Sequence, residues 1–362
     1  MRDSDVTANS LDLKPPATSV GFIGWIKGNL LNSPLNSLLT ILILFVLYKT
    51  VPPFVRWAFF RADWFTDGAQ CKATTGACWS VVTQNIRFIL FGFYPYEQQW
   101  RPALAISLLI AFLIYSRERS HWNRKLFIAW PVGLVIMGLI MRGGVFGLPV
   151  VEATKWSGIS LTLLLSIFGL TAAYPLGVFL ALGRRSRLPA IKMLSVVYIE
   201  LIRGVPLISL LFMASVMFPL FLPEGITVDK ILRAQVAIIL FTAAYIAEVV
   251  RGGLQAMPKG QYEAAESLGL DYYQTMRLII LPQALKIVIP PTVSILISAF
   301  KDTSLVVIIG LFDLLKTTQV TLSNPEWMGF SAEAYLFISL IYFAGCFSMS
   351  NFSRRLEDEL RT

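Results

Sequence analysis

RGGLQAMPKGQYEAAESLGLDYYQTMRLIILP, residues 251–282, is a polar stretch with a helical pattern that lies between two long apolar runs. Pro258 suits the first turn of a helix, because the N–H that proline lacks would have no partner there. Residues 261–268 contain no helix breaker, and Gly269 fits a left-handed helix end. The stretch therefore predicts a short helix that is closed by a glycine turn.

A second helix follows this turn. Asp271 and Gln274 are three residues apart and have the pattern of a capping box. The second helix is expected to enter the membrane near Leu278. The first helix presents a small apolar face made by Ala264, Ala265 and Leu268. From the physics alone, such a helix either lies on lipid headgroups or docks another protein.

Composition places the chain among polytopic membrane proteins. Of 362 residues, 56% are hydrophobic and 15% are charged, and the mean hydropathy is +0.65, outside the range of soluble globular proteins. The net charge of +9 falls mainly in short loops between apolar runs, which is the positive-inside pattern. No nucleic-acid-binding motif accompanies these charges, so nucleic acid is not expected as a partner.

Eight apolar runs predict an all-α polytopic membrane protein of about eight transmembrane helices. The fourth carries a packing face of small residues, namely Gly169, Ala172, Ala173 and Gly177. Prolines 290 and 291 should kink the seventh span, residues 281–300. The expected spans are residues 35–51, 102–115, 126–141, 158–182, 193–220, 231–250, 281–300 and 334–352. Residues 301–332 are expected to form a partly membrane-buried segment on the outer side.

Alternation of these spans places both termini in the cytoplasm. Residues 1–33 are expected to form a cytoplasmic tail with a short amphipathic helix near residues 20–31, and residues 356–362 a second tail. Residues 34–156 form an N-terminal region with three spans and a long periplasmic loop. In that loop, residues 86–94 are apolar but too short to cross as a helix, which indicates a re-entrant or interfacial piece.

Three cysteines and one histidine cannot build an ordinary zinc site, so no metal is expected. Cys71 and Cys78 lie in the predicted periplasmic loop. An oxidising compartment would permit a disulfide between them, and two free thiols are the alternative. His121, in a basic loop, is expected to be solvated.

The opening stretch carries a family resemblance. Glu263-Ala264-Ala265, Gly269 and the Ile-x-Leu-Pro that ends at Pro282 match the spaced EAA motif of binding-protein-dependent ABC importer permeases. The flanking sequences YIELIRGVPL, AYIAEVVRGGL and KDTSL resemble the polar amino-acid uptake branch of this family. The resemblance covers residues 157–355, and the long N-terminal region resembles the M-type membrane subunit of general L-amino-acid transporters.

The resemblance implies that the last five spans form a type I ABC importer core. Residues 251–278 would be a coupling loop whose residues Glu263, Ala264, Ala265, Gly269 and Pro282 serve a cytoplasmic ABC ATPase dimer. The other implied partners are a second, similar permease subunit, a periplasmic amino-acid-binding protein and membrane lipid. ATP and Mg²⁺ would be bound by the ATPase, so this chain is expected to need no cofactor. The implied location is the bacterial inner membrane.

Charges inside apolar spans are costly when unpaired, so they are candidates for a translocation pathway. Glu200 and Arg203 are three residues apart and could pair along one face or meet an amino-acid zwitterion. Gly204 and Pro206 follow, where a kink would free backbone groups to line a cavity. Lys301 and Asp302 could serve substrate or simply anchor a helix end. Glu248 and Arg251 are also three residues apart, and they are expected to lie at a solvated helix end.

The sequence also excludes function classes. No G-x4-GK[S/T] phosphate loop occurs, and no catalytic serine or zinc-protease motif is present. The chain is therefore not expected to be an enzyme. Two alternatives to an importer permease remain at this point. One is a secondary transporter, although no inverted repeat is visible, and the other is a membrane anchor that moves no solute.

Overall fold

Helices and short connections make up the whole of the described chain. The structure is a computed structural model that describes residues 21–145 and 147–361. These residues contain no β-strand beyond two isolated bridges. The prediction of an all-α protein is confirmed. The predicted tail over residues 1–20 lies outside the described residues, and the predicted amphipathic helix is present as α1, Gly21–Asn29.

The chain divides into two compact units, with the boundary between Cys78 and Trp79. The first unit contains α1, then α2 (Pro34–Val55) and the short helix α3 (Gly68–Cys71). Ser33 caps α2 by accepting a hydrogen bond from the backbone N–H of Asn36 at 3.2 Å. None of the α2 residues is buried. A helix that is apolar and uncovered all round fits a lipid environment.

The first span does not end at Pro52 and Pro53 as predicted. Helix α2 continues through both prolines to Val55 and passes into a π-helical turn over Arg56–Phe60. The N–H of Arg56 bonds to the carbonyl groups of both prolines. Prolines are tolerated in membrane helices where neighbouring backbone groups re-satisfy the freed carbonyls, which explains the longer helix.

A disulfide closes the loop at the end of the first unit. Cys71 and Cys78 are bonded through their sulfurs, and their Cα atoms are 5.7 Å apart. The hydroxyl of Thr74 donates to the carboxylate of Asp63 at 2.7 Å, and the N–H of Asp63 donates to the carbonyl of Ala77 at 2.8 Å. The loop is therefore held by covalent and hydrogen bonds together.

The described residues of the second unit contain thirteen α-helices. Their bounds are α4 Ser80–Phe91, α5 Trp100–Ser116, α6 Arg124–Arg142, α7 Ile159–Arg184, α8 Pro189–Gly204, α9 Leu207–Phe212, α10 Lys230–Ala256, α11 Lys259–Ser267, α12 Tyr272–Gln274, α13 Leu281–Ile287, α14 Ile289–Asp302, α15 Leu314–Leu322 and α16 Ser331–Arg361. Helix α16 includes most of the predicted C-terminal tail, which is therefore a helical extension of the last span.

Seven helices of the described residues are long and apolar enough to cross a membrane. The predicted fifth span is a pair instead, made of α8 and the helical segment Leu207–Phe221, which meet at 103°. The predicted kink at Gly204 and Pro206 is thus confirmed, but it is a sharp bend rather than a deflection of one span. Glycine ends the first helix, and proline, which cannot donate a backbone N–H, precedes the second.

Parallel helices α7 and α10 form the centre of the second unit. Gly169 lies against Gln235, and Gly177 lies against Ile246, so the two helices run in the same direction. The predicted small-residue face is confirmed at Gly169, Ala173 and Gly177, which are buried, whereas Ala172 is exposed. Small side chains let two helix backbones come close, and this explains the tight central packing.

The seventh predicted span is broken at Val288, two residues before the prolines. Val288 ends α13 and precedes α14, and Pro290 lies at the start of α14. The apolar segment that could cross runs over Ile289–Ile309 rather than residues 281–300. Proline fits the first turn of a helix, so the pair begins a new helix instead of kinking an old one.

The predicted N-terminal region (residues 34–156) and the predicted core that begins at residue 157 pack against each other. The N–H of Phe93 donates to the hydroxyl of Ser157 at 2.7 Å, and the hydroxyl of Thr317 in α15 donates to the carbonyl of Ile89 at 2.7 Å. Ile89 is fully buried. The segment of residues 86–94, in α4 and the turn after it, is therefore partly covered by protein: Ile89 and Tyr94 are buried, whereas Ile86 and Phe93 are exposed.

One end of the second unit collects several helix termini. Gly253, near the end of α10, lies against Val288, so α14 runs away from that end. Phe300 of α14 packs on Tyr342 of α16, with ring centroids 5.4 Å apart, and α16 then returns. The C-terminal end of α16 therefore lies at the end of the bundle that carries α11, which we call the α11 end.

Candidate functional site

Helix α11 carries the three residues of the EAA motif. Glu263 and Ala264 are exposed, and Ala265 is fully buried. The predicted apolar face is thus divided, because Ala265 packs inward while Ala264 and Leu268, the latter 76% exposed, point outward. Helix α11 is therefore packed against the rest of the chain through Ala265. Its opposite side, with polar and apolar residues, is exposed.

Gly269 closes α11 in the way that the sequence predicts. Its φ of 71° lies in the left-handed region. Its N–H donates to the carbonyl of Glu266 at 2.9 Å, and the N–H of Leu270 donates to the carbonyl of Ala265 at 3.1 Å. These two bonds form a Schellman motif, in which glycine avoids the steric cost of a Cβ.

The predicted capping box is also confirmed. The N–H of Gln274 donates to the carboxylate of Asp271 at 2.7 Å, and the amide oxygen of Gln274 accepts from the N–H of Asp271 at 3.0 Å. The helix that follows is not continuous. Short helix α12 passes into a π-helical turn, Thr275–Ile280, before α13 begins with Pro282 in its first turn.

Polar contacts join the α11 region to three other helices. Arg185, just after α7, donates to the carbonyl of Leu254 in α10 at 2.9 Å and to the hydroxyl of Tyr262 in α11 at 3.2 Å. Gln283 of α13 donates to the side-chain oxygen of Gln261 at 3.0 Å. A displacement of α11 would therefore be transmitted to α7, α10 and α13.

Replacing Gly269 by alanine should loosen the end of α11. A Cβ in the left-handed region costs about 1 kcal/mol, so we expect hydrogen exchange of the last α11 amides to accelerate about fivefold. The control is Gly260→Ala, also in α11, where a Cβ meets nothing within 4 Å and φ is not positive. Equal exchange rates in both variants would show that the glycine turn does not hold the helix end.

A cluster of five charged side chains lies where α7, α8 and α10 meet. The carboxylate of Glu248 is 3.5 Å from the guanidinium of Arg184 and 3.5 Å from that of Arg203. It also accepts hydrogen bonds from Arg251, one of them at 3.0 Å from Nε. These four side chains are 23–33% exposed. One carboxylate thus holds three cations from three helices.

The predicted pairing of Glu200 with Arg203 is wrong. Glu200 pairs with Arg184 at 2.8 Å, and Arg203 pairs with Glu248. Contacts within one helix turn contribute only about 0.2–0.5 kcal/mol, so partners on neighbouring helices can replace them. The second prediction, that residues 248 and 251 form a solvated helix end, is also wrong, because Glu248 is the centre of the cluster.

Lys301 and Asp302 lie elsewhere. They end α14, at the opposite end of the bundle from α11. In the part of the chain that the structure describes, neither makes a salt bridge to another residue. The four candidate pathway residues therefore do not form one site. Nor do the described residues contain a group of three or more metal-ligating side chains.

One buried acid, Asp313, was not among the residues predicted to be functional. Asp313 is fully buried and caps α15 by accepting from the N–H groups of Lys316 at 3.0 Å and Leu315 at 3.2 Å. The hydroxyl of Tyr342 approaches it at 3.3 Å. Burial raises the pKa of Asp313, and the hydrogen bonds oppose that shift. The signal in the sequence was an acid directly before an apolar helix.

Comparison with known proteins gives a consistent picture. Residues 173–362 match the family described as binding-protein-dependent transport system inner membrane component. The inner membrane amino-acid ABC transporter permease protein YhdY of Escherichia coli K12 is 48% identical over 93% of each chain. The glutamate/glutamine/aspartate/asparagine transport system permease protein BztC of Rhodobacter capsulatus is 38% identical over 96% of this chain and 95% of its own.

Shorter relatives match a little over half of the chain. The probable glutamine ABC transporter permease protein GlnP of Bacillus subtilis is 36% identical over 57% of this chain and 93% of its own. A crystal structure of an amino acid ABC transporter with histidines superposes with a TM-score of 0.50 and 32% identity, over 56% of this chain and 92% of that one. The resemblance inferred from the EAA motif is confirmed: the chain belongs to the family of binding-protein-dependent transport system inner membrane components.

Proposed function

We propose that this chain is the membrane-spanning permease subunit of an ATP-driven importer that moves L-amino acids, polar or of several kinds, across the bacterial inner membrane. The names of its relatives support amino acids as the solute. The positive charge of the short loops supports an orientation with both termini in the cytoplasm.

The observation that carries this proposal is the attachment of α11. The helix exposes Glu263, Ala264 and Leu268, and Arg185 and Gln283 tie the same segment to the membrane helices. We infer that an ABC ATPase dimer binds the exposed side, and that its closure moves α11 and the helices bonded to it. ATP and Mg²⁺ are bound by that partner, and this chain needs no cofactor and has no catalytic role.

Further partners follow from surfaces that the chain leaves uncovered. Leu194 and Leu201 of α8 are 66% and 62% exposed, and Phe212 of α9 is 48% exposed. A second permease subunit together with lipid would cover this apolar surface, because one such core makes half of a pathway. A periplasmic binding protein would deliver the solute, and the paired bundles would alternate between inward-facing and outward-facing states.

Charge reversal at Glu263 tests the coupling role. We expect Glu263→Lys to lower copurification of the ATPase at least tenfold while the chain keeps its thermal stability, since the side chain is exposed. The matched control is Glu224→Lys, an exposed acid in the loop before α10 and thus at the other end of the bundle. Undiminished copurification of the ATPase with the Glu263→Lys variant would contradict the proposed contact.

Uptake measurements distinguish this proposal from the two alternatives, a secondary transporter and a membrane anchor. A secondary transporter would continue uptake when ATP is depleted and an ion gradient is kept, and an anchor would leave uptake unchanged when it is deleted. We expect deletion of this chain to abolish uptake of some labelled L-amino acids, and uptake to stop when ATP is depleted. Measuring a panel of amino acids would also define the range of solutes.

A further inference from the structure

A positively charged cleft lies at the α11 end of the bundle, away from α11 itself. The loop between α5 and α6 meets the last turns of α16 there and forms a shallow depression in the surface, with room for about 10 Å³. Arg117 and Arg119 line the cleft from the loop, Arg355 lines it from α16, and Glu359 is the acid among these lining residues. Three cations against one carboxylate leave the cleft with a net positive charge.

The remaining walls of the cleft are apolar. Trp122 from the loop and Phe352 and Leu356 from α16 complete the lining, and Trp122 is 50% exposed. Tryptophan is typical of the interface between lipid and water, where its ring lies at the level of the headgroups. The cleft therefore combines cations with apolar surface. A ligand that suits it would combine an anionic group with hydrocarbon.

The loop that supplies two of the arginines is held in place by hydrogen bonds. The indole N–H of Trp122 donates to the carbonyl of Ser116 at 2.9 Å, and that of Trp130 donates to the hydroxyl of Ser116 at 2.9 Å. His121, predicted to be solvated, is partly exposed and stacks on Tyr115 with ring centroids 4.1 Å apart. A site formed before binding loses less entropy when its ligand arrives.

The position of the cleft favours a ligand that comes from the membrane. It lies where the apolar helices α5 and α16 end and α6 begins. Exposed apolar side chains flank it, with Ile114 at 67% and Phe127 at 83% exposure. Basic pockets between membrane helices at this level bind anionic lipid headgroups. A soluble anion would gain nothing from the apolar flanks.

We propose that this cleft binds the phosphate headgroup of an anionic phospholipid, whose acyl chains lie along the exposed apolar side chains of α5 and α6. The lipid would bridge the α5–α6 hairpin and α16. Helices α5 and α6 lie before residue 173, where the family match begins, and α16 lies within the match. The lipid would thus stabilise the attachment of the N-terminal helices to the family core.

The test uses the purified full chain in mild detergent, titrated with phosphatidylglycerol or phosphatidylcholine of the same acyl chains and analysed by native mass spectrometry. We expect phosphatidylglycerol to bind at least tenfold more tightly. Each cation beside the bound headgroup should contribute about fivefold to its binding, so R117Q/R119Q/R355Q, which removes the three cations that line the cleft, should lose at least tenfold. The matched control R124Q/K125Q/R354Q removes three exposed cations from the same segments, outside the lining, and should change affinity less than about threefold.

A further variant covers the case in which the triple substitution prevents folding. Glu359→Gln removes the acid of the cleft and should raise the affinity for phosphatidylglycerol about fivefold. Equal losses in the triple variant and its control would overturn the proposal, as would unchanged affinity in the Glu359 variant. Displacement of the lipid by millimolar glycerol phosphate would show a site for a free anion and would also overturn it.

Discussion

Valine in place of Gly177 should destabilise the protein by about 3 kcal/mol. A Cβ at this position would lie 2.6 Å from a methyl carbon of Ile246 and 2.9 Å from the backbone carbonyl oxygen of Ala243. The backbone of α10 cannot move aside without disturbing the parallel pair that forms the centre of the bundle. Unfolding by a denaturing detergent in mixed micelles, followed by tryptophan fluorescence, would measure the loss.

The matched control for this variant is Gly138→Val. Gly138 lies inside α6, and a Cβ there would meet nothing within 4 Å. Valine has a higher helix propensity than glycine, so we expect the free energy of unfolding to stay within about 0.5 kcal/mol or to rise. If both variants unfolded alike, the close approach of α7 and α10 would not be what limits side-chain size at Gly177.

Removing the charge of Glu248 should uncouple the importer. In Glu248→Gln the three arginines lose their shared carboxylate and repel one another. Removing one partner of a buried ion pair costs about 3–5 kcal/mol, and since these side chains are about a quarter exposed we expect about 2 kcal/mol. We further expect uptake to fall at least tenfold, while ATP hydrolysis falls less, because the cluster joins helix ends that move with α11.

Glu200→Gln is the control for this prediction. Glu200 is 55% exposed, and its one salt bridge among the described residues is to Arg184. Exposed pairs contribute at most about 1 kcal/mol. Its uptake should stay within about twofold of the wild type. The ratio of amino acids moved to ATP hydrolysed, measured in proteoliposomes with the partner subunits, separates uncoupling from loss of protein. A normal ratio in the Glu248 variant would assign the cluster a purely structural role.

Local features were predictable from the sequence because their causes are local. The Schellman turn at Gly269 follows from the freedom of glycine at positive φ, and the capping box follows from the spacing of Asp271 and Gln274. Most of the spans follow from the length of the apolar runs. The first span was predicted too short, since backbone groups next to Pro52 and Pro53 find partners in a π-helical turn that hydropathy does not show.

The site was only partly predictable. The EAA motif located the coupling loop, but it did not show that Ala265 packs inward while Ala264 points outward. Spacing along α8 suggested a pair between Glu200 and Arg203, whereas the closer partners lie on α7 and α10. The central role of Glu248 in the charge cluster could not be predicted from the sequence either, because its three partners are spread over 67 positions of the chain.

The sequence by itself therefore determined the all-α membrane architecture, the short helix and turn of the coupling loop, and the family. Hydrophobic length, helix caps and glycine geometry act within a few residues of the chain, so they can be inferred without knowing which helices meet. Only the tertiary structure decided the partners of the charged groups, the 103° bend between α8 and α9 and the cleft between the α5–α6 loop and α16. These features depend on contacts between helices that are distant in sequence.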